Sequence, residues 1–251
     1  MIEVDRTVNR NNSKTVWGWK DLFIILLGIG GILFFGIMLY LVTMIIIGVN
    51  HETLMQPTAA QSIGLAGLEA LALILGVYLF GLRRRGYGWN AVGLRSTSSK
   101  WLLTSAIATF IAIPLTSIII LLVFFAFSIP LENPQLDFLL PEDLSSTDIL
   151  LMLILAGFAA PFGEELLFRG VLYTTFRERW GIWPSVLLSS LIFGAIHGNL
   201  AVGLTGFLLG ILTAIVFEFS QSLWTAILVH AINNTAKIGL LYLLVSLGFS
   251  V

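Results

Sequence analysis

From Leu22 to Val49 the chain runs without a single charged side chain. Crossing a bilayer as a helix takes about 20 apolar residues. In lipid no water pairs with the backbone, so a spanning segment must satisfy its own N–H and C=O groups, which a helix does. This run therefore fixes the class of fold before any motif is considered. Ala59 to Leu82 and Leu102 to Ile129 repeat the pattern, as does Ile149 to Phe176, where Pro161 predicts a kink. Four shorter apolar segments follow, about Ile182 to His197, Ala201 to Phe217, Ser222 to Ala236 and Ile238 to Val251. The expectation is an all-α, polytopic transmembrane bundle of about eight membrane helices around an intramembrane polar cavity. Of the 251 residues 57% are hydrophobic and 11% charged, against roughly 25% charged in a soluble domain.

The charges that remain are ordered. Arg6, Arg10, Lys14 and Lys20 precede the first segment, Arg83, Arg84, Arg85, Arg95 and Lys100 follow the second, and Arg177 and Arg179 follow the fourth. The intervening loops, 50–58 and 130–148, hold no Lys or Arg, and the second carries Glu132, Asp137, Glu142, Asp143 and Asp148. The positive-inside rule then places the N-terminus and the basic loops in the cytoplasm, with the chain in the cytoplasmic (inner) membrane. Residues 1–21 read as a cytoplasmic tail, too weakly apolar for a signal peptide. Residues 22–149 read as N-terminal transmembrane helices and 150–251 as a transmembrane core that carries the polar residues described next. Lys237 is the exception to the charge pattern, snorkelling or marking a misplaced boundary. A net charge of −1 argues against nucleic acid as a partner. The absence of cysteine excludes disulfides and thiolate chemistry.

Against this background, Gly163-Glu164-Glu165-Leu166-Leu167-Phe168-Arg169-Gly170 places three charges inside apolar sequence. Phe193-Gly194-Ala195-Ile196-His197 and His230-Ala231-Ile232-Asn233-Asn234 are equally out of place. Charge in a bilayer costs several kcal/mol per group unless offset, so such residues mark function. Glu164, 13 residues before Arg177, lies roughly 20 Å from the cytoplasmic end of its helix. His197 lies roughly 22 Å from that side, and His230 and Asn234 roughly 12 and 18 Å, so the polar groups converge in depth. Glu165 and Arg169, at i and i+4, share a helix face and can pair. Glu164 points about 100° away, free to face a wet cavity. His230 and Asn234 are also i, i+4, and Phe193 precedes His197 by four, close enough to pack beside it.

A desolvated carboxylate is a stronger base than one in water, suited to take a proton from water. An imidazole beside it can hold that water, and a second imidazole with an amide can stabilise an oxyanion. This is a kit for hydrolysing a carbonyl without a covalent intermediate. No cofactor is required. The alternative is a divalent metal such as zinc, held by Glu164, His197 and His230 with Asn234. Other protease plans fail. There is no HExxH, no Asp after Asp148, and no Gly-x-Ser-x-Gly.

Glu164-Glu165-x-x-x-Arg169, Phe193-x-x-x-His197 and His230-x-x-x-Asn234 together resemble the CPBP family of intramembrane proteases. That family includes the type II CAAX prenyl endopeptidases and the bacterial abortive-infection (Abi) proteins. The likeness spans roughly residues 150–238. It implies an intramembrane endopeptidase in which Glu164 and His197 activate water while His230 and Asn234 form the oxyanion hole. Glu165, Arg169 and Phe193 are then supporting residues. It also implies a peptide or membrane-protein substrate, cut near the cytoplasmic side, and a membrane-lipid environment.

Other polar residues carry blander expectations. Glu69 reads as a packing or cavity carboxylate, Glu218 as a solvated or capping residue, and Asn233 as a substitute for Asn234. Gly206 and Gly210 read as close helix packing, and His51 carries no role. Trp17, Trp19, Trp89, Trp101, Trp180, Trp183 and Trp224 read as interface anchors. The rival functions are a non-catalytic bacteriocin-immunity or scaffold protein of the same fold, and a transporter carrying protons on Glu164 and Glu69. The lack of an internal repeat disfavours the transporter.

Overall fold

The computed structural model describes residues 16–49, 58–130, 133, 135–141 and 143–248. Arg6, Arg10, Lys14, His51, Glu132 and Glu142 lie outside them, as does the side chain of Asp137. Among the described residues every regular element is helical and no strand occurs. Six helices are long and apolar enough to cross a membrane. They are α1 (Trp19–Ile46), α2 (Ala59–Arg83), α3 (Ser99–Ala126), α4 (Ser146–Trp180), α6 (Leu200–Ser220) and α7 (Leu223–Ser246). A shorter apolar helix, α5 (Ile182–Ala195), lies between α4 and α6. The chain is an integral membrane protein.

Among the described residues the expected eight segments are thus seven, because the single helix α7 (Leu223–Ser246) runs through the boundary expected between Ser222 to Ala236 and Ile238 to Val251. Nothing near Lys237 stops a helix, since Gly239 alone costs only about 1 kcal/mol. Lys237 faces a cavity between helices rather than lipid, so its charge does not demand a boundary.

Caps set the helix starts. Thr58 and Gln61 close a capping box on α2, and Ser145 and Asp148 close one on α4. Asn199 accepts from the backbone N–H groups of Ala201 and Val202 at the start of α6. Between α4 and α5 the chain reverses at Gly181, whose φ of +81° suits glycine.

The two ends of the bundle differ. At one end, Asp21 of α1 pairs with Arg84 of α2, and Arg177 of α4 with Glu218 of α6 at 2.8 Å. Glu218 therefore locks two helices and also accepts from Tyr173 (2.8 Å), rather than standing solvated. Trp17 is fully buried there, not an interface anchor. Its indole donates to the Gly170 carbonyl at 2.9 Å. At the other end, Asp143 accepts from the Ala59 N–H at 2.7 Å, and Tyr242 of α7 donates to the Leu139 carbonyl at 2.9 Å. The helices thus alternate between a basic end and an acidic end.

The long helix α4 is not regular. It widens to π-helical geometry over Leu155–Ala159 and Leu166–Tyr173. Between them stands one α-helical stretch, Ala160–Glu165. Proline lacks an N–H and its ring crowds the carbonyl four residues back, so Pro161 explains the first widening. The freed carbonyls of Ala156 and Gly157 accept from Asn234 (3.2 Å) and Thr235 (3.3 Å) of α7. The Gly170 carbonyl, in the second widening, takes Trp17 and the Thr174 hydroxyl. Such widened turns often occur at functional sites.

Candidate active site

The two carboxylates stand near the middle of α4. Glu164 comes 18 residues after the start of α4 and 16 before its end, roughly 27 and 24 Å along the axis. Glu165 turns into the protein and is fully buried, as is Arg169. Their side chains pair, with Arg169 Nη1 donating to Glu165 Oε1 at 3.2 Å and Nε 3.2 Å from Oε2. The guanidinium also donates from Nη2 to the Gly210 carbonyl of α6 at 2.9 Å, and lies 4.9 Å from the Phe193 ring. A buried guanidinium left with unpaired N–H groups would be severely destabilising, and α4, α5 and α6 all contribute to its cage. Gly210 is small because a methyl there would come 3.1 Å from Nη2 and 2.9 Å from Ser190. The Gly206–Gly210 pattern is close packing, and one of its carbonyls is a ligand for Arg169.

His230 of α7 sits between the carboxylates. Its Nδ1 lies 2.8 Å from Glu165 Oε1 and its Nε2 3.4 Å from Glu164 Oε2. Nδ1 meets the buried Glu165 closely, while Nε2 faces Glu164 across the longer gap.

Phe193, almost fully buried, organises both imidazoles. Its ring meets His197 edge-on at 5.2 Å and His230 at 5.5 Å, and Phe168 at 4.8 Å. Its carbonyl accepts from His197 Nδ1 at 2.8 Å. A carbonyl cannot donate, so Nδ1 carries a proton and Nε2 is the open nitrogen of that ring.

Glu164, His197, His230, Asn233 and Asn234 all line one cavity of about 290 Å³. The pairing within it differs from the sequence expectation. The imidazole in contact with Glu164 is that of His230, not His197. Glu165 serves two partners, Arg169 and His230. Asn234 donates to Ala156 and accepts from Asn233 at 3.1 Å, which leaves one of its own N–H groups. Asn233 is buried beside it and lines the same cavity. Two further residues line it: Glu69, read from the sequence as a packing or cavity carboxylate, and Lys237, which the sequence did not place at the site. The cavity wall also includes Leu136, Phe138 and Leu139 of the acidic loop. Its wall thus reaches the end of the bundle that carries the acidic loop.

A second space, about 450 Å³ and almost wholly apolar, runs between α1, α2, α4 and α5. Trp19 and Phe176 line it near the basic end, and Glu69 and Glu164 are its polar residues. Those two carboxylates are common to both spaces. As for a metal, no three His, Asp or Glu among the described residues gather closely enough to hold one. Glu164, His197 and His230 do not form such a set, and no step below is routed through a metal.

Comparison with known proteins addresses the same helices. Residues 146–236 match the family described as "Type II CAAX prenyl endopeptidase Rce1-like". The resemblance read from the three motifs is to this family. The matched stretch holds α4, α5 and α6 whole and α7 as far as residue 236, with all seven motif residues named above. An Escherichia coli protein, "Uncharacterized 24.3 kDa protein", is 36% identical over 105 residues, 40% of this chain and 48% of its own length. A Bacillus subtilis protein, "Putative membrane peptidase YdiL", is 29% identical over 85 residues, 34% of this chain and 35% of its own. The chain thus spans half or less of these curated relatives. No solved structure matches it.

Proposed function

We propose that this protein is an intramembrane endopeptidase that hydrolyses a peptide bond with activated water. The observation that carries the reading is the shared cavity. A carboxylate from α4, an imidazole from the turn after α5, and an imidazole and an amide from α7 line it within the apolar bundle, where charge is retained only for use. Water held between Glu164 and His197 Nε2 gives a proton to Glu164, and the hydroxide attacks the scissile carbonyl carbon. The carbonyl oxygen, now an anion, accepts from protonated His230 Nε2 and from the remaining Asn234 N–H. As the C–N bond breaks, Glu164 returns the proton to the leaving amine. Glu165 and Arg169 act by holding His230, and Phe193 by holding both rings.

The apolar groove supports an apolar peptide or membrane-protein segment as substrate, since it leads from the lipid side to the same carboxylates. The charge pattern supports a cytoplasmic basic end in the inner membrane. The cavity then lies toward the outer half of the bilayer. A second reading is a non-catalytic immunity or scaffold protein. The burial of the Glu165–Arg169 pair favours it, because such a network would tie helices together without any chemistry.

N-terminal proteomics of membranes holding equal amounts of wild type or Glu164→Gln separates the two. The protease reading expects new N-termini with the wild type only, with turnover in the variant down by roughly 10²–10⁴-fold. Identical N-termini from two folded proteins would overturn it and leave the scaffold.

A further inference from the structure

The scheme above leaves Lys237 unused. It lies on α7 just beyond the Rce1-like stretch, which ends at residue 236. It follows Asn234 by three residues and His230 by seven, so one face of α7 presents all three. All three line the same cavity. Along the axis Lys237 stands roughly 4.5 Å from Asn234 and roughly 10.5 Å from His230. Helical side chains lean toward the N-terminus of their helix, here toward Asn234. Nine residues, roughly 14 Å, separate Lys237 from the end of α7 at Ser246, farther than a four-carbon stem can snorkel.

An ammonium carries three donors and no acceptor. Lys237 makes no hydrogen bond or ion pair with another described residue. Glu164, in the same cavity, faces His230 instead. A lysine inside an apolar bundle is retained where water or an anion meets it. The cavity continues past it, with Leu241 one turn further along α7 and Asn133 and Gln135 of the loop in its wall. Tyr242 ties that loop to α7 through the Leu139 carbonyl.

We propose that Lys237 is a specificity-determining residue that pairs with an acidic side chain of the substrate, an inference that rests on the hydrolase reading. A peptide held at His230 and Asn234 advances about 3.3 Å per extended residue, so the acidic residue falls within about three positions of the scissile bond. Because the cavity runs on beyond the ammonium, the chain passes by rather than ending there. The anion is therefore a side chain and not a terminal carboxylate. Lys237 touches no reacting atom, so it acts on binding rather than on the chemical step.

The test uses the full protein in lipid nanodiscs and capped Ala/Leu peptides in which one Glu, Gln or Lys is moved along the chain. Near the cleaved bond, Glu should lower KM roughly 10- to 100-fold against Gln, the scale of a hydrogen bond to a charged group, with kcat the same for both. Lys237→Met should bring the Glu peptides to the KM of the Gln peptides. Lys237→Arg should keep the preference, and Lys237→Glu should transfer it to the Lys peptides. Fluorescence anisotropy of the same peptides on Glu164→Gln reads binding without turnover. A wild type that cleaves nothing would defeat the hydrolase reading alone, and tighter binding of Glu than of Gln peptides would still support the site. Equal KM and equal binding of the two would overturn it. So would an uncapped parent peptide that gains as much as the Glu peptide, since the anion would then be a chain end. A loss for every peptide in Lys237→Met, with a lower melting temperature, would assign Lys237 to holding the loop instead.

Discussion

Two arginines join α4 to α6, each reaching a residue 41 positions on. Arg169 reaches the Gly210 carbonyl, and Arg177 reaches Glu218. The two arginines are eight residues apart on one helix, yet their surroundings differ in kind. The side chain of Arg177 is 35% exposed at the basic end, where water serves whatever its partner does not. That of Arg169 is 0% exposed inside the bundle, with a carboxylate, a carbonyl and an aromatic face around it. The same ion-pair chemistry is optional at the surface and obligatory inside. Each carboxylate holds a second partner, Tyr173 on Glu218 and His230 on Glu165, but only His230 lines the cavity. The difference between a clamp and a site is therefore one of solvent: only where water is excluded does each hydrogen bond fix the next group's position.

Arg169→Met should be the harshest test of this contrast. It leaves Glu165 buried without its cation, which costs about 3–5 kcal/mol. Thermal unfolding in mild detergent should show a large loss, and a melting temperature close to wild type would break the comparison. Gly210→Ala probes the same cage more gently, since its methyl must displace Arg169 or Ser190. Overpacking of this sort costs about 1–3 kcal/mol. Activity should fall with stability if the cage sets the position of His230, and full activity in a destabilised variant would separate the two. Arg177→Ala should cost at most about 1 kcal/mol, with the difference shrinking further in high salt. A loss as large as that of Arg169→Met, measured in the same detergent, would mean that burial is not what distinguishes the two links.

How much of this was legible in the sequence follows from which forces act locally. The lipid-spanning runs were readable because hydrocarbon demands about 20 apolar residues in a row, and the predicted ends fall within a few residues of the helices found. The motif residues were readable because their charges stand out against that background and their spacing is helical. The partnership of Glu164 with His230 was not, because it joins residues 66 positions apart and depends on how α7 docks onto the widened turns of α4. Glu69 gave no signal beyond its own charge, since what places it is the close approach of α2 and α4 at Gly163. Lys237 misled the segmentation for the same reason. A charge in an apolar run reads as a boundary unless a cavity is known to receive it. Glu218 and Trp17 were read as boundary residues and are tertiary locks instead.

Helix α5 has 14 residues, so its length is roughly 21 Å, well short of a hydrocarbon layer of about 30 Å. Lipid beside it cannot stay at full thickness without covering the polar turn at residues 196–199. Acyl chains must shorten, tilt or draw their headgroups down along that flank. The membrane around this protein is therefore dented on the side that carries His197. The dent shortens the path from bulk water to the middle of the bilayer, and makes the thickness of the host membrane a parameter of the site itself.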